Sequence, residues 1–124
     1  MYEVGVVRQF EAAHSLKGDF GPAMRPHGHT YRVEVAVRGE KLKDDGTLCD
    51  IGWLQHLAQD AVDPLHFQNL DGLHDFKNRN STAEAVAEHI WSSLSSSVGQ
   101  QGLSSLRVTV WESPDAFARF EREI

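Results

Sequence analysis

The chain has 124 residues, 40% hydrophobic and 24% charged, which suits one soluble domain spanning residues 1–124 with its own core. A formal net charge of -6 gives no basic footprint for nucleic acid, and no apolar stretch approaches membrane-spanning length. Cys49 is the single cysteine, which excludes an intramolecular disulfide; with no signal peptide visible, the expectation is a cytoplasmic protein.

Residues 2–14 alternate, with Val4, Val6, Phe10, Ala12 and His14 on one side, because successive side chains of a strand point to opposite faces. The loop 15–26 is punctuated by Gly18, Gly21, Pro22 and Pro26, and it offers Lys17, Asp19, Met24 and Arg25 to a ligand. Residues 27–39 alternate again: His27, His29, Tyr31, Val33, Val35 and Val37 share a face, opposite Thr30, Arg32, Glu34 and Arg38. A polar turn and a short extended piece, 47–49, lead to Asp50, whose carboxylate predicts a helix N-cap. Ile51, Leu54, Leu57, Ala58, Ala61 and Val62 then recur at helical spacing until Pro64 ends the helix. Residues 65–80 are rich in His, Asn and Asp and have no period.

Ser81-Thr82-Ala83-Glu84 reads as a capping box in which Ser81 and Glu84 satisfy orphan amides. A second helix follows, with Val86, Ile90, Leu94 and Val98 as its apolar stripe and Gly99 as its C-cap. In 104–112, Leu106, Val108 and Val110 face one way and Arg107, Thr109 and Trp111 the other; a turn at Ser113-Pro114-Asp115 precedes a last strand, 116–122. The order β-β-α-α-β-β predicts an α+β fold, a four-stranded antiparallel sheet with both helices on one face. Its long edge strands would be covered by joining edges between copies into a closed barrel, so a homo-oligomer is expected.

If the first two strands form an antiparallel hairpin, His14 lies beside His27 and His29. Three imidazoles converging on one point are the ligand set of a catalytic zinc (Zn2+), with the fourth position left to water or substrate. His56 and His89 read as surface or packing residues, and Cys49 as a small apolar residue at a strand end rather than a relocated nucleophile.

Phe10-x-Ala-Ala-His14, His27-Gly-His29-x-Tyr31, Gly46-x-x-x-Asp50, Ser81-Thr82-x-Glu84 and Trp111-Glu112 follow one another along essentially the whole chain. Together they resemble the 6-pyruvoyl-tetrahydropterin synthase and 6-carboxytetrahydropterin synthase family. The resemblance implies the tunnelling fold, with subunits assembled as trimers that stack into a hexamer and active sites at subunit interfaces. It implies zinc held by His14, His27 and His29, and a pterin ring anchored by Glu112 through its guanidine-like edge. A carboxylate suits that edge because it accepts two parallel N–H bonds.

In that family a cysteine, helped by an Asp–His pair, moves protons while zinc polarises the side-chain hydroxyls. Here the sequence departs from the pattern. The cysteine position, four residues before His27, is Ala23, and neither Met24 nor Arg25 replaces it. The segment Leu-Asp-His-x-x-Leu reads Leu65-His66-Phe67-Gln68-Asn69-Leu70. Gapless matching puts His66 at the Asp and Phe67 at the His; a shift by one keeps His66 as the catalytic base, with Asp63 or Asp71 as its partner. Both registers stay open. His74 is a second candidate base, and Lys17, Arg25, Lys77 and Arg79 are the cations available to a substrate phosphate. The expectation is a zinc-dependent lyase acting on the side chain of a 7,8-dihydropterin, by the synthase reaction or by dihydroneopterin side-chain cleavage. The alternative is a catalytically altered pterin- or purine-binding protein of the same fold.

Overall fold

In the computed structural model, which describes residues 1–124, two long strands set the frame. β1 (Tyr2–His14) and β2 (His27–Gly39) pair antiparallel along their whole length, from Tyr2 opposite Gly39 to His14 opposite His27. This register places Val6 opposite Val35, Phe10 opposite Tyr31 and Ala12 opposite His29, so the alternating apolar set of each strand meets that of the other. After α1 (Ile51–Val62), β3 (Gln68–Asn69) and α2 (Ala83–Gly99), the chain adds β4 (Ser105–Ser113) and β5 (Ala116–Glu123). The sheet order is β3-β1-β2-β4-β5, an open sheet that does not close on itself.

Both helices pack on the face carrying Val6, Phe10, Val33, Val35, Leu106 and Val108. α1 lies against β1 and α2 against β4 and β5. Leu54 and Ala58 of α1 and Val86, Ile90 and Leu94 of α2 enter this core almost fully buried. Each large aliphatic side chain so buried contributes about 1.5–3 kcal/mol. Asp50 caps α1, with its Oδ1 accepting from the Gly52 amide at 2.9 Å. The opposite face has no helix and carries a polar lattice. Arg32 pairs with Glu34 at 2.9 Å, Trp111 Nε1 donates to Glu34 at 2.8 Å, and Arg107 pairs with Glu3 at 2.8 Å. No helix is long and apolar enough to cross a membrane.

The structure corrects the expected fold in three places. The sheet has five strands, because Gln68 and Asn69 pair parallel with Ala12 and Ala13 at the end of β1. Two residues carry no periodicity, and the pairing is created by tertiary contact: the Phe67 amide donates to the Glu11 carbonyl at 2.6 Å. The N-cap of α2 is Thr82, whose Oγ1 accepts from the Ala85 amide at 3.2 Å, whereas the Ser81 hydroxyl is bonded elsewhere. Gly99 is the last residue of α2 and not its cap; the left-handed residue of the following turn is Gly102, at φ 72.

Candidate functional site

The hairpin register brings three histidines to one end of the sheet, on the helix-covered face. His14 closes β1 directly opposite His27, which opens β2, and His29 sits two residues further along the same face. Their ring centroids are 4.5 Å (14 to 27), 5.1 Å (14 to 29) and 4.9 Å (27 to 29) apart. One ring nitrogen from each lies within 4.8 Å of the other two.

Hydrogen bonding fixes which nitrogens are free. The Nδ1 of His14 lies 2.8 Å from the Ser81 carbonyl, and that of His27 2.7 Å from the Arg25 carbonyl. A carbonyl only accepts, so both Nδ1 atoms donate, and in the neutral ring the lone pair falls on Nε2. The Nε2 of His14 is buried and has no hydrogen-bond partner. An orphaned lone pair inside a protein is costly unless something outside the chain's own hydrogen bonding satisfies it. His29 is held below the usual imidazole range, first by burial and then by its two histidine neighbours, against the opposing pull of the Glu112 carboxylate. One nitrogen from each of the three rings faces a common point, the arrangement that could hold a divalent metal ion.

Around this cluster stand Tyr31 and Glu112. β4 pairs with β2 as far as Trp111 opposite Arg32; Glu112 follows at the register shift between Trp111 and Ser113, and its carboxylate lies close enough to act on both His29 and Tyr31. Tyr31 is wholly buried, stacks on Phe10 at 4.7 Å and adjoins His29 at 5.4 Å. Its hydroxyl is buried without a partner, and burial, reinforced by Glu112 and Asp71, pushes its pKa up. Tyr31 was legible only as a core position of the strand. Its unsatisfied hydroxyl shows only in three dimensions.

The other sequence candidates fall in different places. Asp71 makes no hydrogen bond to His66; instead it accepts from the Ser81 hydroxyl at 2.6 Å and from the Ser15 amide at 2.8 Å, both next to His14. Its pairing with His66 is thereby corrected. His66 is exposed, and its Nδ1 accepts from the Glu11 amide at 3.1 Å, which leaves the ring proton on Nε2. Phe67, not His66, lines the open cleft that also includes His29, Thr30 and Asn69. It is 76% exposed with φ 57, a left-handed conformation unusual for a non-glycine residue. The backbone bonds on either side of it impose this conformation. His74 is exposed on a single helical turn and makes no side-chain hydrogen bond, whereas His89 pairs with Asp75 at 2.7 Å.

Ala23 sits in the single helical turn Gly21–Met24 within the loop beside the site. Cys49 is buried in the core, where desolvation pushes its thiol up, as a packing residue requires. Arg79 is committed to Glu88 at 2.8 Å, so it is not a free cation.

Residues 3–123 match the protein family described as 6-pyruvoyl tetrahydropterin synthase. The chain is 34% identical over 104 residues to the 6-carboxy-5,6,7,8-tetrahydropterin synthase of Synechocystis, covering 80% of this chain and 78% of that protein. It is 37% identical over 79 residues to human 6-pyruvoyl tetrahydrobiopterin synthase, covering 60% of this chain and 54% of the relative. Among solved structures, Caenorhabditis elegans 6-pyruvoyl tetrahydropterin synthase superposes with a TM-score of 0.86 at 27% identity, covering 98% of this chain and 95% of that one.

Proposed function

This chain belongs to the 6-pyruvoyl tetrahydropterin synthase family, and from that premise we propose that it is a zinc-dependent lyase acting on the side chain of a 7,8-dihydropterin. The observation that carries the reading is the buried, unpartnered Nε2 of His14 beside two further imidazoles, with Glu112 close enough to act on His29. His14, His27 and His29 would hold the ion, and a zinc there would supply Lewis acidity to the side-chain oxygens of the substrate.

The rest of the work belongs to the chain's own groups. Glu112 accepts two parallel N–H bonds from the guanidine-like edge of the pterin, which fixes the ring's orientation relative to the histidines. Tyr31, wholly buried beneath His29, packs behind the cluster and limits how far that ring can turn. Proton exchange falls to His66 or His74. His74 has both ring nitrogens free to accept a proton, while His66, with Nδ1 accepting from Glu11 and its proton on Nε2, can accept one only by giving up that bond. No thiol stands at Ala23, so cleavage to a 6-hydroxymethyl pterin, which needs one base, fits these residues better than a sequence of internal proton transfers.

The reading includes a homo-oligomer, trimer or hexamer, because most of β1 and all of β5 present unpaired edges of an open sheet. Light scattering of the purified protein measures it. For the reaction, the zinc-loaded protein is incubated with dihydroneopterin and with its triphosphate, and the pterin side chain is followed by chromatography. Turnover of one substrate, lost in His14→Ala, is expected; binding of both with neither changed would refute the lyase. That second result is the signature of a catalytically altered pterin- or purine-binding protein. One observation favours this alternative: the cleft carries the non-ionisable Phe67 in place of a base.

A further inference from the structure

Two neighbouring hydroxyls, Ser81 and Thr82, precede α2, and only one of them caps it. Thr82 takes the helix amide, while Ser81, fully buried, turns its hydroxyl away to donate to Asp71 Oδ1 at 2.6 Å. The same Ser81 faces His14 twice: its carbonyl accepts from Nδ1 at 2.8 Å, and its Oγ lies 3.2 Å from that nitrogen. With its own proton given to Asp71, Oγ can meet the imidazole only as an acceptor. The bonds therefore run in one direction, from the His14 N–H to the serine and from the serine to the carboxylate.

The second oxygen of Asp71 grips the chain immediately after His14, accepting from the Ser15 amide at 2.8 Å and standing 3.3 Å from its hydroxyl. One carboxylate thus holds His14 by its ring, through Ser81, and by its main chain, through Ser15.

We infer that Asp71 is the positioning residue of His14, acting through Ser81 to fix the imidazole with Nε2 presented as a metal ligand. The inference deepens the metal reading of the site and rests on it. The Ser81 carbonyl already makes Nδ1 the donor and so excludes the tautomer in which Nε2 carries the proton; what Asp71 adds, through the Ser81 hydroxyl, is a second anchor that fixes the direction of the ring. Fixing the ring and the residue after it spares the ordering that binding would otherwise demand. Outer partners of this kind typically govern about 10–100-fold in metal affinity. The contact is also specific to this ligand, since His27 is held by a backbone carbonyl alone.

The test uses the full chain, stripped of metal, in wild-type, Asp71→Ala, Asp71→Asn, Ser81→Ala and doubly substituted Asp71→Ala/Ser81→Ala forms. Zinc affinity is measured by competition with a chromophoric chelator, and ligand geometry from the visible spectrum of the cobalt(II) form. Asp71→Ala and Ser81→Ala are each expected to weaken zinc by about 10–100-fold and to alter the cobalt bands. The double variant is expected to lose no more than the weaker single one, because the two groups act in series. If Asp71→Ala does not fold, the near-isosteric Asp71→Asn carries the comparison. Zinc affinity within about twofold of wild type, with unchanged cobalt bands, overturns the positioning role while leaving the metal site standing. Failure of the wild-type chain to bind either metal overturns the metal reading, and this inference with it.

Discussion

Replacing Tyr31 by Phe removes one oxygen and nothing else that the fold uses. The ring lies flat on Phe10, with an interplanar angle of 11° and 4.7 Å between centroids, and a phenylalanine keeps that stack. The hydroxyl is buried without a hydrogen-bond partner. An unsatisfied buried polar group costs about 1–3 kcal/mol, so Tyr31→Phe should stabilise the metal-free protein by about that amount. For a chain of this size, 1 kcal/mol moves Tm by roughly 4 °C, so a rise of at least about 4 °C is expected. Calorimetric melts of the two metal-free proteins at equal concentration measure it, concentration being held because association shifts Tm. A Tm lowered by several degrees would show that the hydroxyl is already satisfied in the free protein and would refute the reasoning.

The remaining expectations are narrower. Burial, only partly offset by Glu112, holds His29 below its usual 6.5, so the unfolded chain takes up a proton that the folded one refuses. Stability present above pH 6.5 is therefore lost as the pH falls from there through the folded value, as denaturant titrations of the metal-free protein across pH 5–7 would show. Cys49→Ser should cost about 1–2 kcal/mol by burying a hydroxyl, yet leave pterin turnover unchanged, and the native thiol should resist iodoacetamide until the protein unfolds. Thr82→Ala should lower stability by about 1 kcal/mol through the lost cap without changing zinc affinity, the reverse of the pattern expected at Ser81.

What could be read in the chain was what repeats. The long hairpin announces itself through thirteen alternating residues in each arm, and that alternation alone puts His14, His27 and His29 on one face. The alternation of Leu106, Val108 and Val110 points toward Glu112, but the register shift between Trp111 and Ser113 means that its place near His29 and Tyr31 shows only in the folded chain. The segment 65–80 could not be read in this way. Its register depends on which residue meets the end of β1, and the bonds from Phe67 to Glu11 and from Glu11 to His66 are contacts between distant positions that leave no local period. Ser81 misled for a related reason. Its sequence context is that of a cap, and only the approach of Asp71 and His14 draws its hydroxyl away. Asp71 was legible as a site residue but not as the partner of His14, because the contact between Ser15 and Asp71 joins positions 56 residues apart and exists only in the folded chain.

Every role proposed for this site requires the three imidazoles of His14, His27 and His29 to share an ion. Zinc titrated into the metal-free protein against a chromophoric chelator should show a single tight ion per chain, abolished by His14→Ala and by His29→Ala. Absence of tight binding, or binding that survives both substitutions, would contradict that sharing.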